Sequence, residues 1–358
     1  MDKPNYRMIE LARNSRGLTQ KQLATLLPKI NQPNISKIER GELPFTEEYV
    51  DIISKALDYP KEFFFQVESK IPVSSLYFRK RATIPQKVLN KITADICIIL
   101  KGIDTLLQDI ELKEYPKFCF NISEGWTPKS VALRMKEIMQ LDTKRPIKNI
   151  ITKIEELGVI VFFYDCNTDK FDGTTSYTDN GTPVIFVNKN VPNDRLKRTI
   201  VHEFFHLVMH IPCNVEPWRN PEQETDEATS EFFMPEDVCL VDFAGITYNG
   251  LGALKSYWGV AKSSIIRRAK DLRLIDANTY TYLNIELGRR GERKKENGVV
   301  DIDSPKILPT VMNLLKEQLS YTNEDLAKKV CLSLIDYCNY FEPQENSQIR
   351  LRVVNRAV

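Results

Sequence analysis

Apolar positions recur every three or four residues along most of the 358-residue chain, and in one central interval the spacing tightens to the period of strands. Residues 1–66 break into five short amphipathic segments divided by Gly, Pro and Asn, which predicts a helical bundle. Within it, "LTQKQLA" places Thr19 as a helix cap, with Leu23, Leu26 and Leu27 facing inward. A turn over residues 28–31 leads into "QPNISKIERG", where Ile35 and Ile38 are the buried positions and Gly41 is the stop. "KVLNKITADICIILKGIDTLLQDIEL" keeps helical spacing. "TPKSVALRMKEIMQ" predicts a helix over 127–140, with Thr127 as cap and Pro128 in the first turn. Another, over 147–157, ends at Gly158.

The period then changes. "GVIVFFYD" and "TPVIFVNKN" are rich in β-branched and aromatic residues and predict strands. A weaker strand between them precedes the hairpin signal Asp179-Asn180-Gly181. "VPNDRLKRTIVHEFFHLVMHIP" predicts a helix from near Asn193 to near Pro212, and "NPEQETDEATSEFFMP" a second, capped by Asn220 with Pro221 at its first position. "LGALKSYWGVAKSSIIRRAKDLRLI" reads as two short helices around a turn. Residues 305–341 read as a helical tail in which Thr322 and Asp325 form a capping box. No internal repeat stands out. The pattern predicts an α+β protein, mostly helical, in four segments: a five-helix bundle (1–66), a helical connector (67–125), a domain with a small β-sheet (126–287), and a basic linker with a small helical region (288–358).

Composition changes this little. Apolar content of 42% and charged content of 27% are those of an ordinary globular protein, and a formal charge of +2 confines any nucleic-acid surface to a local patch. The seven cysteines are odd in number and form no CxxC pair, so reduced thiols are expected rather than a disulfide framework. The N-terminus lacks a signal-peptide core, and no apolar run is long enough for a membrane helix, so a cytoplasmic protein with no membrane partner is expected.

The chemistry concentrates in "TIVHEFFHLVMHIP", which holds all three histidines of the chain. Residues four apart on a helix lie roughly 6 Å from each other, so His202 and His206 can aim at one ion. Glu203 lies about 100° round the helix, within reach of a water on that ion. The surrounding residues are apolar, so two imidazoles and a carboxylate would be buried at considerable cost unless a cation satisfied them. A third ligand is expected from the acidic helix that follows: Glu222 is preferred, with Asp226 four residues on as hydrogen-bond acceptor from a ligand histidine, and Glu224 and Glu227 compete. Zn²⁺ is the expected ion, and Mn²⁺ also suits a site with a carboxylate. His210 is two turns beyond His202, too far for the same ion, and is assigned to the helix C-terminus or the cleft wall. Tyr177 and Arg195 are candidates for steadying an oxyanion, and "TPVIFVNKN" for pairing with an extended peptide. The competing reading is a core helix beside an acidic, solvated one.

The N-terminal segments follow a different logic. Two short helices joined by a tight turn can lay the second in a major groove, where Gln32, Asn34, Ser36 and Lys37 would meet base edges or phosphates, with Gln20 facing a phosphate. Residues 13–40 carry six basic side chains against one acid, Glu39, which is assigned a pairing role inside the domain. The expected partner is a double-stranded DNA operator, bound by a homodimer.

These stretches resemble known families. "RGLTQKQLA", "ISKIERGELP" and "ISKAL" resemble the phage-repressor (Cro/C1, or XRE) helix-turn-helix domain. "RPIKNIITKIEELGVIVFFY", "TPVIFVNKNVPNDRLKRTIVHEFFHLVMH" and "PEQETDEATSEFFMP" resemble the ImmA/IrrE metallopeptidase family. The resemblance implies a zincin-like domain with an HExxH active-site helix, His202, His206 and Glu222 as metal ligands, and Glu203 as general base. It also implies an endopeptidase that cuts a regulatory protein, a repressor in trans or the chain itself. The basic connector at Arg79, Lys80 and Arg81 is one candidate for self-cleavage. Departures are Phe204 and Phe205, where the family often has small residues, and Glu224-Thr225-Asp226 for its usual "EAN" or "EAD". Two other readings use the same residues: a transcription factor whose peptidase-like domain senses a metal or ligand, and an antitoxin-like interaction protein.

Overall fold

The computed structural model describes residues 3–27, 30–67, 84–213, 215–293 and 296–342. The connector at Arg79, Lys80 and Arg81 lies outside the described residues. In chain order the first helices are α1 (Arg7–Ser15), α2 (Gln20–Leu26), α3 (Gln32–Glu39), α4 (Glu47–Leu57), α5 (Gln86–Leu106), α6 (Pro128–Ile138) and α7 (Ile150–Glu155). Strands β1 (Ile160–Tyr164), β2 (Gly173–Tyr177) and β3 (Pro183–Asn188) follow. After them come α8 (Asn193–Met209), α9 (Pro221–Phe233), α10 (Glu236–Asp242), α11 (Leu251–Trp258), α12 (Lys262–Asp271) and α13 (Ala277–Arg289). The last three are α14 (Ile307–Gln318), α15 (Asn323–Lys329) and α16 (Leu334–Phe341). Among the described residues no helix is long and apolar enough to cross a membrane.

The chain forms two compact units, and they are not consecutive in sequence. One comprises residues 1–68, 101–110 and 308–358; the other comprises 69–100 and 111–307. In the first, α1–α4 and a 3₁₀ turn at Lys61–Phe65 account for the five predicted segments. Met8, Ile9, Ala12, Leu23, Ile35, Ile38, Ile53 and Phe64 form its buried interior. Thr19 caps α2 in a box with Gln22, and Asn31 caps α3 by accepting from the Asn34 amide. Arg13 grips Glu39 through two hydrogen bonds of 2.7 and 3.0 Å, the pairing expected for this acid. Helices α14–α16 belong to the same unit. Arg16 donates to both oxygens of Asp336 at 2.8 and 2.6 Å, and the Phe341 ring rests on Gly102, where a β-carbon would come within 2.6 Å of it.

In the second unit a three-stranded sheet has the order β1-β3-β2, with β1 parallel and β2 antiparallel to β3. The β2–β3 hairpin closes through Gly181 at φ +87°, which is the turn the Asp-Asn-Gly signal predicts. Helix α8 packs against β2 and β3, with α9 alongside. Gly173 makes that approach possible: a β-carbon there would stand 2.7 Å from the Thr199 methyl and 2.8 Å from the Phe186 carbonyl. Nearly all of α8 from Leu196 to Met209 is buried, as a helix apolar on every side must be.

Two expectations are corrected. The stretch "TPVIFVNKN" does not offer a free edge to an extended peptide. It is β3, the middle strand, and pairs on both sides; the edges of the sheet are β1 and β2. The cysteines are not all reduced: Cys119 and Cys213 are bonded, with Cα atoms 5.7 Å apart across 94 residues of chain. Packing brings them together. Phe120 donates its amide to the Val208 carbonyl at 2.9 Å, which lays the extended stretch around Cys119 along the end of α8.

Candidate functional site

The 3.6-residue repeat of α8 stacks three imidazoles on one line, at 202, 206 and 210. The Nε2 atoms of His202 and His206 are 3.2 Å apart. The Glu222 carboxylate, from the first turn of α9, reaches both: Oε2 is 3.4 Å from His202 Nε2 and Oε1 is 3.3 Å from His206 Nε2. Pro221 and the Asn220 cap start α9 at the place that puts Glu222 on this side. These three residues form a cluster whose ligand atoms all lie within 4.8 Å of one another. Both rings are buried, while the Glu222 side chain is 48% exposed, so the cluster opens on its carboxylate side. Partial burial works against ionisation of Glu222, yet the two imidazoles outweigh it and hold the carboxyl well below the ordinary range.

The rivals for the third position are committed elsewhere. Glu224 accepts from His210 Nε2 at 2.8 Å and from Arg219 at 3.0 and 2.6 Å. Glu227 accepts from Gln223 at 2.9 Å. Asp226 is where a histidine-orienting acid should be, 3.1 Å from His202 Nδ1 and 2.8 Å from Arg198.

His210 departs from its expected role. Its ring lies behind His206, with the two Nδ1 atoms 3.1 Å apart, and its own Nε2 faces Glu224. Burial pulls its pKa down to about 4, so the ring is neutral near pH 7. One tautomer set fits every distance: His206 donates from Nδ1 to His210 Nδ1, and His210 donates from Nε2 to Glu224. His202 donates from Nδ1 to Asp226. With no proton on either Nε2, the lone pairs of His202 and His206 then face each other and the Glu222 carboxylate, an arrangement that repels itself unless a proton or a metal cation lies between; it is the protonated rings that hold Glu222 down. The sequence reading named His210 and Glu224 in other roles and missed Arg219 and the chain of contacts that joins the three, because spacing was counted from His202. Counted from His206, His210 is again four residues on, the spacing that joins His202 to His206.

Glu203 is fully buried between α8 and β2. Thr175 Oγ1 lies 3.1 Å from its Oε2, whereas Oε1 has no hydrogen-bond partner among the described residues. Burial raises its pKa, against the pull of His206 and His202. An orphaned, buried carboxylate oxygen beside a two-imidazole, one-carboxylate cluster fits a divalent ion with its bound water. Phe204 and Phe205 are wholly buried in the core, so their bulk does not occupy the opening. Of the oxyanion candidates, Arg195 is paired with Asp172. Tyr177 lies two residues after Thr175 and so shares its face of β2, with its phenol pushed up to about 12 by burial.

On α2 and α3 the expected DNA-facing groups are partly engaged with each other. Gln20 donates to Glu39 Oε2 at 2.7 Å and accepts from Gln32 at 3.0 Å, so its amide is held within the domain. Asn34 and Ser36 are half-buried and Lys37 is exposed.

Residues 9–64 match the family model of the helix-turn-helix, and residues 154–270 that of the IrrE N-terminal-like domain, a peptidase family. The chain joins an XRE-type helix-turn-helix domain to an IrrE-type domain. The IrrE-type match runs from α7 into α12 and encloses His202, Glu203, His206 and Glu222. The helix-turn-helix match covers most of α1 and all of α2, α3 and α4. A comparison with curated proteins returns no match.

Proposed function

We propose that this chain is a DNA-binding transcriptional regulator whose IrrE-type domain is a zinc-dependent endopeptidase, cleaving a regulatory protein that is either a repressor or the chain itself. The observation that carries the reading is the convergence of His202, His206 and Glu222 beside the unpaired Oε1 of Glu203. Zn²⁺ or Mn²⁺ held by these three residues would supply Lewis-acid activation of a water and of the scissile carbonyl. Glu203 takes the water's proton at Oε1 and returns it to the departing amine. Thr175 fixes Oε2, so that Oε1 is the oxygen turned to the reaction. Asp226 and His210 hold the two ligand rings by their Nδ1 atoms. Residues 1–66 bind the operator through α3, and two-fold operators call for a homodimer.

A second reading has its own support. Both imidazoles and Glu203 are buried while Glu222 is half-exposed, and a sheltered centre of this kind suits a metal-sensing transcription factor as well as an enzyme. One comparison separates the two. The chain and its Glu203→Gln variant are incubated with candidate repressors, with and without Zn²⁺ or Mn²⁺, and the products are read by mass spectrometry. Metal-dependent cutting by the wild type alone supports the peptidase. If neither cuts while both bind DNA with equal, metal-sensitive affinity, the sensor reading replaces it.

A further inference from the structure

The C-terminal helices repeat the N-terminal ones. α2 and α15 each have 7 residues, and α3 and α16 each have 8. Each pair follows a longer helix, α1 or α14, across a four-residue link, 16–19 or 319–322. In both links the residue two before the threonine is left-handed: Gly17 at φ +63° and Ser320 at φ +56°. Thr19 and Thr322 then form capping boxes with Gln22 and Asp325. Leu23 and Leu326 are buried four residues after these caps. The second helix of each pair has a side-chain cap, Asn31 or Ser333, that accepts from the amide of the third residue on, Asn34 or Asp336. The next residues, Ile35 and Tyr337, are buried.

What differs is the face that would meet DNA. Counted from the caps, Gln32, Pro33 and Asn34 correspond to Leu334, Ile335 and Asp336. Leu334 and Ile335 are 41% and 69% exposed. Lys21 and Gln22 correspond to Glu324 and Asp325, which places two carboxylates in the first turn of α15, where a phosphate would approach. Residues 307–342 carry three lysines against five acids, while residues 13–40 carry six basic residues against one acid. Such a surface repels a phosphate backbone.

The position equivalent to Asn34 nevertheless makes a specific contact. Asp336 accepts two parallel hydrogen bonds from Arg16, at 2.8 and 2.6 Å, a fork geometry that only a guanidinium offers. Arg16 also donates to the carbonyls of Leu57 and Asp58, at 2.7 and 2.8 Å, and stacks 4.3 Å over the Tyr59 ring. It thus ties the ends of α1 and α4 to the start of α16. Arg16 belongs to neither α2 nor α3, so this grip does not draw on the side chains assigned to DNA. We infer that α14–α16 are a second helix-turn-helix copy that recognises protein instead of DNA, and that its partner is the α1–α4 copy of the same chain, gripped at Arg16.

The test uses the full chain and hydrogen exchange read by mass spectrometry, so it does not depend on DNA binding or on peptidase activity. Asp336→Ala should speed exchange about tenfold at the ends of α1 and α4 as well as in α16, with Asp336→Asn intermediate and α9 and α12 unchanged. Faster exchange confined to α14–α16, or no change anywhere, overturns the assignment of the partner. A second arm titrates a fluorescent random-sequence duplex at low salt. Leu334→Ala with Ile335→Ala should leave its affinity, or its failure to bind, as in the wild type. A drop of about tenfold or more means that the second copy touches DNA and overturns the inference.

Discussion

Thr175 Oγ1 lies 3.1 Å from the Oε2 atom of Glu203 and 3.1 Å from its carbonyl oxygen, joining the middle of an edge strand to the acid between His202 and His206. A hydroxyl has one proton to give, so it serves the two oxygens in turn and keeps the carboxylate in one rotamer. Thr175→Val keeps the shape and removes the donor. Metal-dependent cleavage should then fall by about 10- to 100-fold with zinc affinity unchanged, whereas Glu203→Gln should lose on the order of 10²–10⁴. Single-turnover rates measure both, and a Thr175→Val protein with the wild-type rate would discard the holding role.

His210 stands between His206 and the Glu224–Arg219 pair. Its removal takes away the acceptor that faces the His206 Nδ1 proton. His210→Ala should weaken zinc binding by about 10–100-fold in competition with a chelating dye, and Glu224→Gln by less. The Co²⁺ spectrum should change with it. Equal zinc affinity in wild type and His210→Ala would show that something else orients His206.

Lys136 is wholly buried, with one long hydrogen bond of 3.4 Å to the Thr143 carbonyl. Burial, opposed by Glu231, pulls its ammonium down to about 8 from an ordinary 10.5. Below pH 8 the group is charged in both folded and unfolded chains, and the fold bears the full cost of burying it. Between about 8 and 10.5 the unfolded chain binds the extra proton, so this cost disappears as pH rises. Lys136→Met should therefore be more stable than wild type at pH 7, by on the order of 1–3 kcal/mol, with the advantage shrinking towards pH 10. Paired melting curves at pH 7 and 9.5 decide it, and an advantage that grows with pH contradicts the sign.

The bond between Cys119 and Cys213 closes 94 residues of chain and fastens the stretch before α6 to the end of α8, three residues beyond His210. Replacing both cysteines with serine should lower stability by about 2–4 kcal/mol, and a reductant should do the same to the wild type. Coincident denaturation curves for all of these would mean that the two thiols are reduced in solution.

On the DNA side, Gln32→Ala with Asn34→Ala should reduce discrimination between operator sequences by about 1–3 kcal/mol for each base that is no longer hydrogen-bonded. Selection from a duplex library gives the preference. An unaltered consensus in the double variant removes these two residues from sequence reading.

Local signals were legible in the sequence, and long-range ones were not. The caps at Thr19, Thr127 and Thr322, the stop at Gly158 and the Asp-Asn-Gly hairpin all depend on neighbours within a few residues, and each is present. Strand order depends on a crossover: β3 gains β1 on one side through a connection that no alternation of residues encodes. The cysteine pair and the Arg16–Asp336 contact depend on packing between segments 94 and 320 residues apart. The second helix-turn-helix is not legible in the sequence because its likeness lies in helix lengths, caps and the four-residue link before each pair, the turn inside the pair being one residue shorter in the second copy, while "TQKQLA" and "TNEDLA" share only Thr, Leu and Ala. At the candidate centre, the HExxH spacing marked two candidate ligands and an acid, and the sequence already preferred Glu222; what it could not show is the rotation of α9 against α8 that gathers Glu222 beside the two imidazoles while Glu224 and Glu227 bond elsewhere.

The partner of Arg16 is 320 residues downstream. A ribosome adding about 5–20 residues per second needs on the order of tens of seconds to reach Asp336 after Arg16 has been made. Throughout that interval the guanidinium of the nascent DNA-binding domain has the Leu57 and Asp58 carbonyls and the Tyr59 ring but not its carboxylate, and a message broken anywhere before the codon for Asp336 yields a protein in which that ion pair never forms.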